Sequence, residues 1–343
     1  MRYVIEHTYV NLVPLSFIPR GVAALTGIES FKSLNDLTTG KFRKESFKPY
    51  NPEGFDGVEF NFSIESLFTK DWDVKEKRLE RFKERNWPLY TFHAGHESEL
   101  GCFRDACTSL ADDDDLTKKK IKVQIQAAAE LQKATGIGKS PIIVFHTGYL
   151  PQKSSVPDAV LKNLETAVKE AENKKVIVAL ENMQHSKKWY LIGSDYKDLE
   201  YIMKKVDSPW LKVCFDWGHA NAYAWEYAKK AKNPKEYLEN FSYHSQIIDA
   251  LNKKICYTHI HYNESQQNFS YGEDEHLPLT RIPQGFMAGF ERTIEEMLEK
   301  TSIAEHDFIH LELFPFTFWK KGSTRKEQIQ SIRIIEGIRG KEK

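Results

Sequence analysis

Leu211-Lys212-Val213-Cys214-Phe215-Asp216, running straight into Trp217-Gly218-His219, is a short apolar run that ends on a metal-type side chain. Five more runs share that form. Upstream lie PLYTFHA (88–94) with His93, PIIVFH (141–146) with His146 and KVIVALE (175–181) with Glu181. Downstream, KICYTHIH (254–261) reaches His261 and DFIHLE (307–312) reaches Glu312. A strand that is apolar until its end and then offers His, Asp or Glu suits the mouth of a (β/α)₈ barrel. There the parallel strands converge at one face and the βα loops build the site. FDGVEFNF (55–62) and a weaker RYVIE (2–6) bring the strands to eight.

Helical stretches alternate with these runs: 74–85, 118–136, 157–174, and further ones near 195–206, 235–252, 289–301 and 324–338. In the third, Leu161, Leu164, Val168 and Ala171 recur at helical spacing, and Pro157-Asp158 suits a first turn. Strands alternating with helices argue a parallel sheet, and right-handed crossovers close eight such units into a barrel. The expectation is therefore an α/β chain, a single (β/α)₈ TIM barrel with enlarged βα loops, forming one domain over 1–343. The excess over a minimal barrel falls in loops at 12–54, 94–117, 183–195, 220–234 and 262–288. The aspartates at 112–115 suit a helix entry, where the peptide dipoles favour negative charge.

The composition narrows the function classes. Lys+Arg and Asp+Glu balance at 49 each among 343 residues, so no global basic field marks a nucleic-acid binder. The apolar fraction of 41% fills a large core. Cys102, Cys107, Cys214 and Cys256 form no CxxC pair and fit a reducing cytosol, with Cys214 and Cys256 packing inside strands. No run of about 18 apolar residues is present, so no membrane span is expected. MRYVIEHTYVNL carries charge within its apolar stretch and predicts no signal peptide. The expected setting is cytoplasmic, with no protein partner predicted.

Side chains alternate along a strand, so the residue two before each terminal ligand also faces the barrel interior. These are Thr91, Val144, Ala179, Cys214, His259 and His310. A lone inward histidine is more often a hydrogen-bonded support than a ligand, and spacing alone leaves open whether His259 or His261 serves the centre. Taken together with Asp216, His219, Asp274 and His276, the polar groups are too many to bury without a cation.

These residues sit in HAG (93–95), FHTG (145–148), LENM (180–183), DWGHAN (216–221), HIHYNES (259–265), DEHLP (274–278) and LELFP (311–315). From about Val58 to Pro315 the chain resembles the xylose-isomerase-like barrel superfamily, which includes endonuclease IV and many sugar isomerases and epimerases. The resemblance to endonuclease IV implies three zinc ions and nine ligands. One ion would take His93, His146 and Glu181. A second would share Glu181 with Asp216, His261 and Glu312, and a third would take His219, Asp274 and His276. These are nitrogen and oxygen donors of the kind zinc accepts.

The chemistry then divides on metal count. Three divalent ions and one hydroxide against four carboxylates leave a single net positive charge, which welcomes a phosphate. A single ion on Glu181, Asp216, His261 and Glu312 leaves a net negative shell that suits a neutral sugar. Divalent cations lower the pKa of bound water from about 15.7 to about 7 and stabilise attacking and leaving oxygens. The favoured reading is a metal-dependent phosphoester hydrolase acting on a small phosphoester, a sugar phosphate or, by the resemblance, abasic DNA. Glu181 would bridge two ions, and Arg281 would hold the anion. The alternative is an isomerase or epimerase, with zinc replaced by manganese or another divalent ion. Glu181 and Glu312 would then remove and return a proton beside the metal. The Lys-Pro of xylose-type isomerases is absent after Glu181, where Asn182-Met183 stands.

Secondary features are fewer. Phe314, Phe316, Phe318 and Trp319 precede Lys320, Lys321, Arg325 and Lys326, where barrels often hold phosphate. The plainer account is packing and solvation. Trp217, Tyr223, Trp225 and Tyr227 raise the same choice, with helix packing expected for most. Glu59 could act as a further acid in the mouth or serve packing. KKKIK (118–122) and KKAKNPK (229–235) read as solvated helix faces.

Overall fold

Eight strands, each parallel to both neighbours, close into a barrel. The computed structural model describes residues 2–7, 57–62, 67–83, 89–95, 108–135, 139–186, 188–264, 274–306, 308–313 and 325–340. The barrel strands are β1 (Arg2–His7), β2 (Gly57–Asn61), β3 (Leu89–His93), β4 (Ile142–Phe145), β6 (Ile177–Glu181), β8 (Leu211–Asp216), β9 (Ile255–Ile260) and β10 (Phe308–Leu311). A separate antiparallel pair joins β5 (Tyr149–Leu150) to β7 (Tyr190–Leu191). It ties the segment after β4 to the segment after β6. The expectation of an eight-stranded α/β barrel holds, and His93, Glu181 and Asp216 are the last residues of their strands. His146, His261 and Glu312 stand one residue beyond theirs.

The helices are α1 (Glu76–Lys83), α2 (Asp115–Thr135), α3 (Asp158–Lys174), α4 (Tyr196–Lys205), α5 (Trp217–Ala228), α6 (Pro234–Glu239), α7 (Ser242–Leu251), α8 (Gln284–Lys300), α9 (Ile303–His306) and α10 (Arg325–Gly340). The aspartate run does enter a helix: Asp114 accepts the backbone N–H of Thr117 at 2.6 Å. Such a side-chain acceptor satisfies one of the N–H groups a helix start leaves unpaired.

Three expectations need correction. Residues 220–234 are not a loop, because α5 starts directly after β8. Asp216 ends the strand and caps the helix, its carboxylate accepting the N–H of His219 at 2.5 Å. The stretch 235–252 is two helices, broken where Phe241 adopts a left-handed φ of 51°. Lys120 of KKKIK is also buried, its ammonium 5.4 Å from the Trp72 ring centre, whereas Lys119 pairs with Asp73.

The main core lies between the barrel wall and the helices. Trp217 is fully buried there against Phe241, His244 and Phe290, so packing is its role. Each such large apolar side chain contributes about 1.5–3 kcal/mol when fully buried. A smaller cluster of Ile142, Val144, Ala179, Cys214, Cys256 and Tyr257 is separate from it. Both cysteines are free and buried, as expected; Cys102 and Cys107 lie outside the described residues. Among the described residues no helix is long and apolar enough to cross a membrane.

Candidate metal centre

Local folding rules bring the strand ends together, and a loop crossing completes the site. Tyr262 and Leu277 exchange backbone hydrogen bonds of 2.8 and 2.9 Å, an isolated antiparallel bridge. That bridge carries Asp274 and His276 back over the barrel mouth. His276 holds a φ of 49°, a left-handed conformation uncommon outside glycine and typical of functional positions.

All nine expected ligands meet. Glu181 Oε2 lies 3.1 Å from His93 Nε2 and 3.0 Å from His146 Nε2. Its Oε1 lies 3.3 Å from His219 Nδ1 and 3.2 Å from His259 Nδ1. Asp274 Oδ2 meets His219 Nε2 at 3.2 Å and His276 Nε2 at 2.6 Å. His261 Nε2 is 3.2 Å from Asp216 and 3.8 Å from Glu312, and its ring stacks on His276 at 4.2 Å. Two sets of four bring one donor atom from each member within 4.8 Å of the others: His219, His261, Asp274 and His276, and Glu181, Asp216, His259 and Glu312. Both inward histidines of β9 and its edge therefore engage carboxylates. His259 sits among Glu181, Asp216 and Glu312, while His261 lies nearest Asp216 at 3.2 Å, with Asp274 at 3.7 Å.

Three rings have their tautomer fixed by the backbone. Nδ1 of His93 lies 2.9 Å from the Ala94 carbonyl, Nδ1 of His219 lies 2.9 Å from the Asn182 carbonyl, and Nδ1 of His276 lies 3.2 Å from the Glu312 carbonyl. A carbonyl only accepts, so each Nδ1 donates and each Nε2 is turned toward a carboxylate. Asn182 does more. Its amide donates to the Asp216 carbonyl at 2.8 Å and accepts the Asp216 N–H at 2.7 Å, locking the ends of β6 and β8 together. Sequence reasoning did not single out Asn182, although its place directly after Glu181 was the available signal.

The charges hold one another. Burial opposes ionisation of Glu181, yet His259 and His146 keep its carboxyl well below the usual range. Burial likewise opposes charge on Asp274 and Asp216. His276 and His219 hold Asp274 down, and His219 and His261 hold Asp216 down. Burial works against the imidazolium of His219, but Asp216 and Asp274 raise it well above its ordinary value. Burial wins at His276, pushed down to about 4. His146, at 16% exposure, and Asp274, at 15%, are the most open members, and the centre meets solvent between them.

Beneath the centre lies Glu59, fully buried inside the barrel and not in its mouth. It accepts the Tyr257 hydroxyl at 2.9 Å and lies 3.4 Å from His259 Nε2, with His310 at 3.8 Å. Arg281 is not brought to the cluster: its guanidinium is 53% exposed and pairs with Glu327 at 3.0 Å. Phe314, Phe316, Phe318, Trp319, Lys320 and Lys321 lie outside the described residues.

Comparison with known proteins accords with this geometry. The family described as xylose isomerase-like TIM barrel matches residues 52–333. An uncharacterised protein of Methanocaldococcus jannaschii is 30% identical over 185 residues, 52% of this chain and 53% of that protein. A probable endonuclease 4 of Mycoplasma mobile is 33% identical over 151 residues, 43% of this chain and 47% of that protein. The chain thus spans about half the length of the curated relatives it matches. A D-tagatose 3-epimerase-like protein superposes with a TM-score of 0.55 at 20% identity, covering 99% of this chain and 97% of that one. At that identity the likeness is one of fold.

Proposed function

We propose that this chain, which belongs to the xylose isomerase-like TIM-barrel family, is a metal-dependent phosphoester hydrolase. Its ions would be held by His93, His146, Glu181, Asp216, His219, His261, Asp274, His276 and Glu312. The observation that carries the reading is the pairing of tautomer with carboxylate. His93, His219 and His276 each give Nδ1–H to a carbonyl and turn Nε2 toward an anion. His276, kept neutral by burial, aims its lone pair at Asp274. On His93 and His219, against burial, the facing carboxylates favour a positive charge at the same place, which a divalent cation can supply. With four carboxylates in one buried cluster, divalent cations fit the donor set and its charge. Bound divalent ions would supply Lewis acidity toward phosphoryl oxygens and acidify water.

The chain's own residues set the rest. Glu181 touches His93, His146, His219 and His259 at once, so its two oxygens span the cluster and suit a bridging ligand. Glu312 and Asp216 close the far side around His259 and His261. Substrate would enter beside His146 and Asp274. The relative named as a probable endonuclease 4 supports a phosphodiester substrate. No role in the site is assigned to Arg281, which Glu327 engages.

One observation favours a second reading. Glu181, Asp216, His259 and Glu312 alone form a compact four-donor set, enough for one ion and a proton-shuttling pair of glutamates, as an epimerase would need. Metal analysis of protein purified without added metal or chelator separates the two. About three ions per chain, with metal-dependent cleavage of bis(p-nitrophenyl) phosphate, is the expected result. About one ion, no cleavage and turnover of a ketose would overturn it.

A further inference from the structure

A cavity of about 430 Å³ opens between the β5–β7 pair and α5, lined by Lys153, Lys188, Trp189, Tyr190, Tyr223, Tyr227 and Lys230 among others. That volume is in the range that holds a small organic ligand. Its far wall is a stripe of α5. Tyr223 and Tyr227 follow His219 at steps of four on one face of α5, and Lys230 stands two residues beyond the end of the helix. The rise of 1.5 Å per residue puts Tyr223 about 6 Å and Tyr227 about 12 Å along the axis from His219. The cavity is therefore approached along the same helix that begins at the metal centre. His185, four residues after Glu181, also lines it, with its ring 6.3 Å from that of Tyr223.

The lining has a definite chemistry. Trp189, at 37% exposure, is one of two large apolar side chains left exposed among the described residues. Lys188 lies 5.2 Å over the Trp189 ring and Lys230 5.7 Å over that of Tyr227. Among the described residues neither ammonium has a carboxylate partner. The lining carboxylates are taken: Asp195 by Lys153 at 2.8 Å and by the Tyr227 hydroxyl at 2.8 Å, and Glu226 by Lys229. Both lining carboxylates thus have partners, while two cations beside aromatic rings remain. Burial also raises the Tyr223 and Tyr227 phenols, so both stay neutral and add no negative charge.

We propose that this cavity seats a nucleotide beside the helix that leads from the metal centre, its base against Trp189 and Tyr227 and its phosphate between Lys188 and Lys230. The inference rests on the phosphodiester reading and names the substrate class as a nucleoside phosphodiester. Aromatic faces stack bases without regard to sequence, and ammonium groups pair with the backbone phosphate.

The test is calorimetric titration of the metal-loaded protein with thymidine 5′-monophosphate, the lysine and tryptophan variants separating this cavity from the metal centre. Binding is expected to weaken about tenfold in Lys188→Ala/Lys230→Ala, equivalent to about 1.4 kcal/mol, and also in Trp189→Ala. Equal binding by wild type and both variants, no binding by wild type, or ribose 5-phosphate binding as tightly as the nucleotide would overturn the proposal. Cleavage of bis(p-nitrophenyl) phosphate is followed in parallel. Cleavage without nucleotide binding overturns the cavity assignment alone. Lysine-dependent nucleotide binding without cleavage overturns the hydrolase reading alone.

Discussion

Nδ1 of His259 lies 3.2 Å from Oε1 of Glu181, while Nε2 of the same ring lies 3.4 Å from Glu59. One buried imidazole therefore links a carboxylate of the mouth to one inside the barrel. Tyr257 steadies the lower carboxylate, and Thr91 lies 2.8 Å from the Tyr257 hydroxyl. Residues placed behind metal ligands typically change metal affinity by 10–100-fold when altered. Glu59→Gln keeps the shape and the Tyr257 hydrogen bond but removes the charge behind His259. The expected outcome is a metal affinity lower by roughly tenfold or more, with the circular dichroism spectrum preserved. Chelator competition measures it, and an unchanged affinity would show that Glu59 serves packing alone.

Glu181 contacts four histidines, so replacing it with glutamine removes the shared anion while leaving its volume. Glu181→Gln is expected to fold, to bind at least one ion fewer per chain and to lose turnover by several orders of magnitude. Full activity in the purified variant would eliminate the bridging role.

Gly218 stands in the first turn of α5 with the His261 ring directly against it, so a methyl group there would overlap the ring. Alanine for glycine inside a helix stabilises by about 1 kcal/mol when nothing is in the way. Here the fully buried ring of His261 must move instead. Gly218→Ala is expected to retain its helix content yet lose more than about tenfold in turnover and part of its bound metal. Wild-type metal content would mean that the ring has room to yield.

Metal removal should cost stability, because the carboxylates and imidazoles packed into the mouth then face one another without a cation. A ligand at a hundred times its dissociation constant stabilises a protein by about 2.7 kcal/mol. For a chain of this size that corresponds to a melting shift of several degrees. Scanning calorimetry with and without chelator should show the drop, reversed by added zinc. A melting temperature indifferent to chelator would argue against resident ions.

His244, outside the proposed ligand set although the charge of Asp216 acts on it, offers a pH test. Burial pushes its folded pKa down to about 3, against the hydrogen bond it makes near the Trp217 carbonyl, while an unfolded histidine titrates near about 6.5. The folded value is depressed, so the unfolded chain binds the extra proton. Stability is fully present above about pH 6.5 and falls as pH drops toward about 3, by about 1.4 kcal/mol per pH unit for one proton. Denaturant melts of wild type and His244→Phe between pH 6.5 and 4 should show a shallower decline in the variant. Parallel declines would remove His244 from the acid response.

The barrel and its ring of candidate ligands were legible in the chain because both are local in sequence. An apolar run ending on Asp216 or Glu181 carries strand, boundary and donor within six or seven residues, and the period-two pleat already turned His259 and His261 to the same side. What sequence could not decide depended on which distant segments meet. The pairing of Tyr262 with Leu277, with Asn263 accepting the Glu275 N–H beside it, returns Asp274 and His276 over the mouth. Only the docking of α10 gives Arg281 to Glu327 in place of the site. The helix after Asp216 was hidden because one carboxylate both ends the strand and caps the helix, leaving no turn signal between them. The cavity beside α5 belongs to no single motif: the small β5–β7 pair joins the segments after β4 and β6 into one wall, and α5 forms the other.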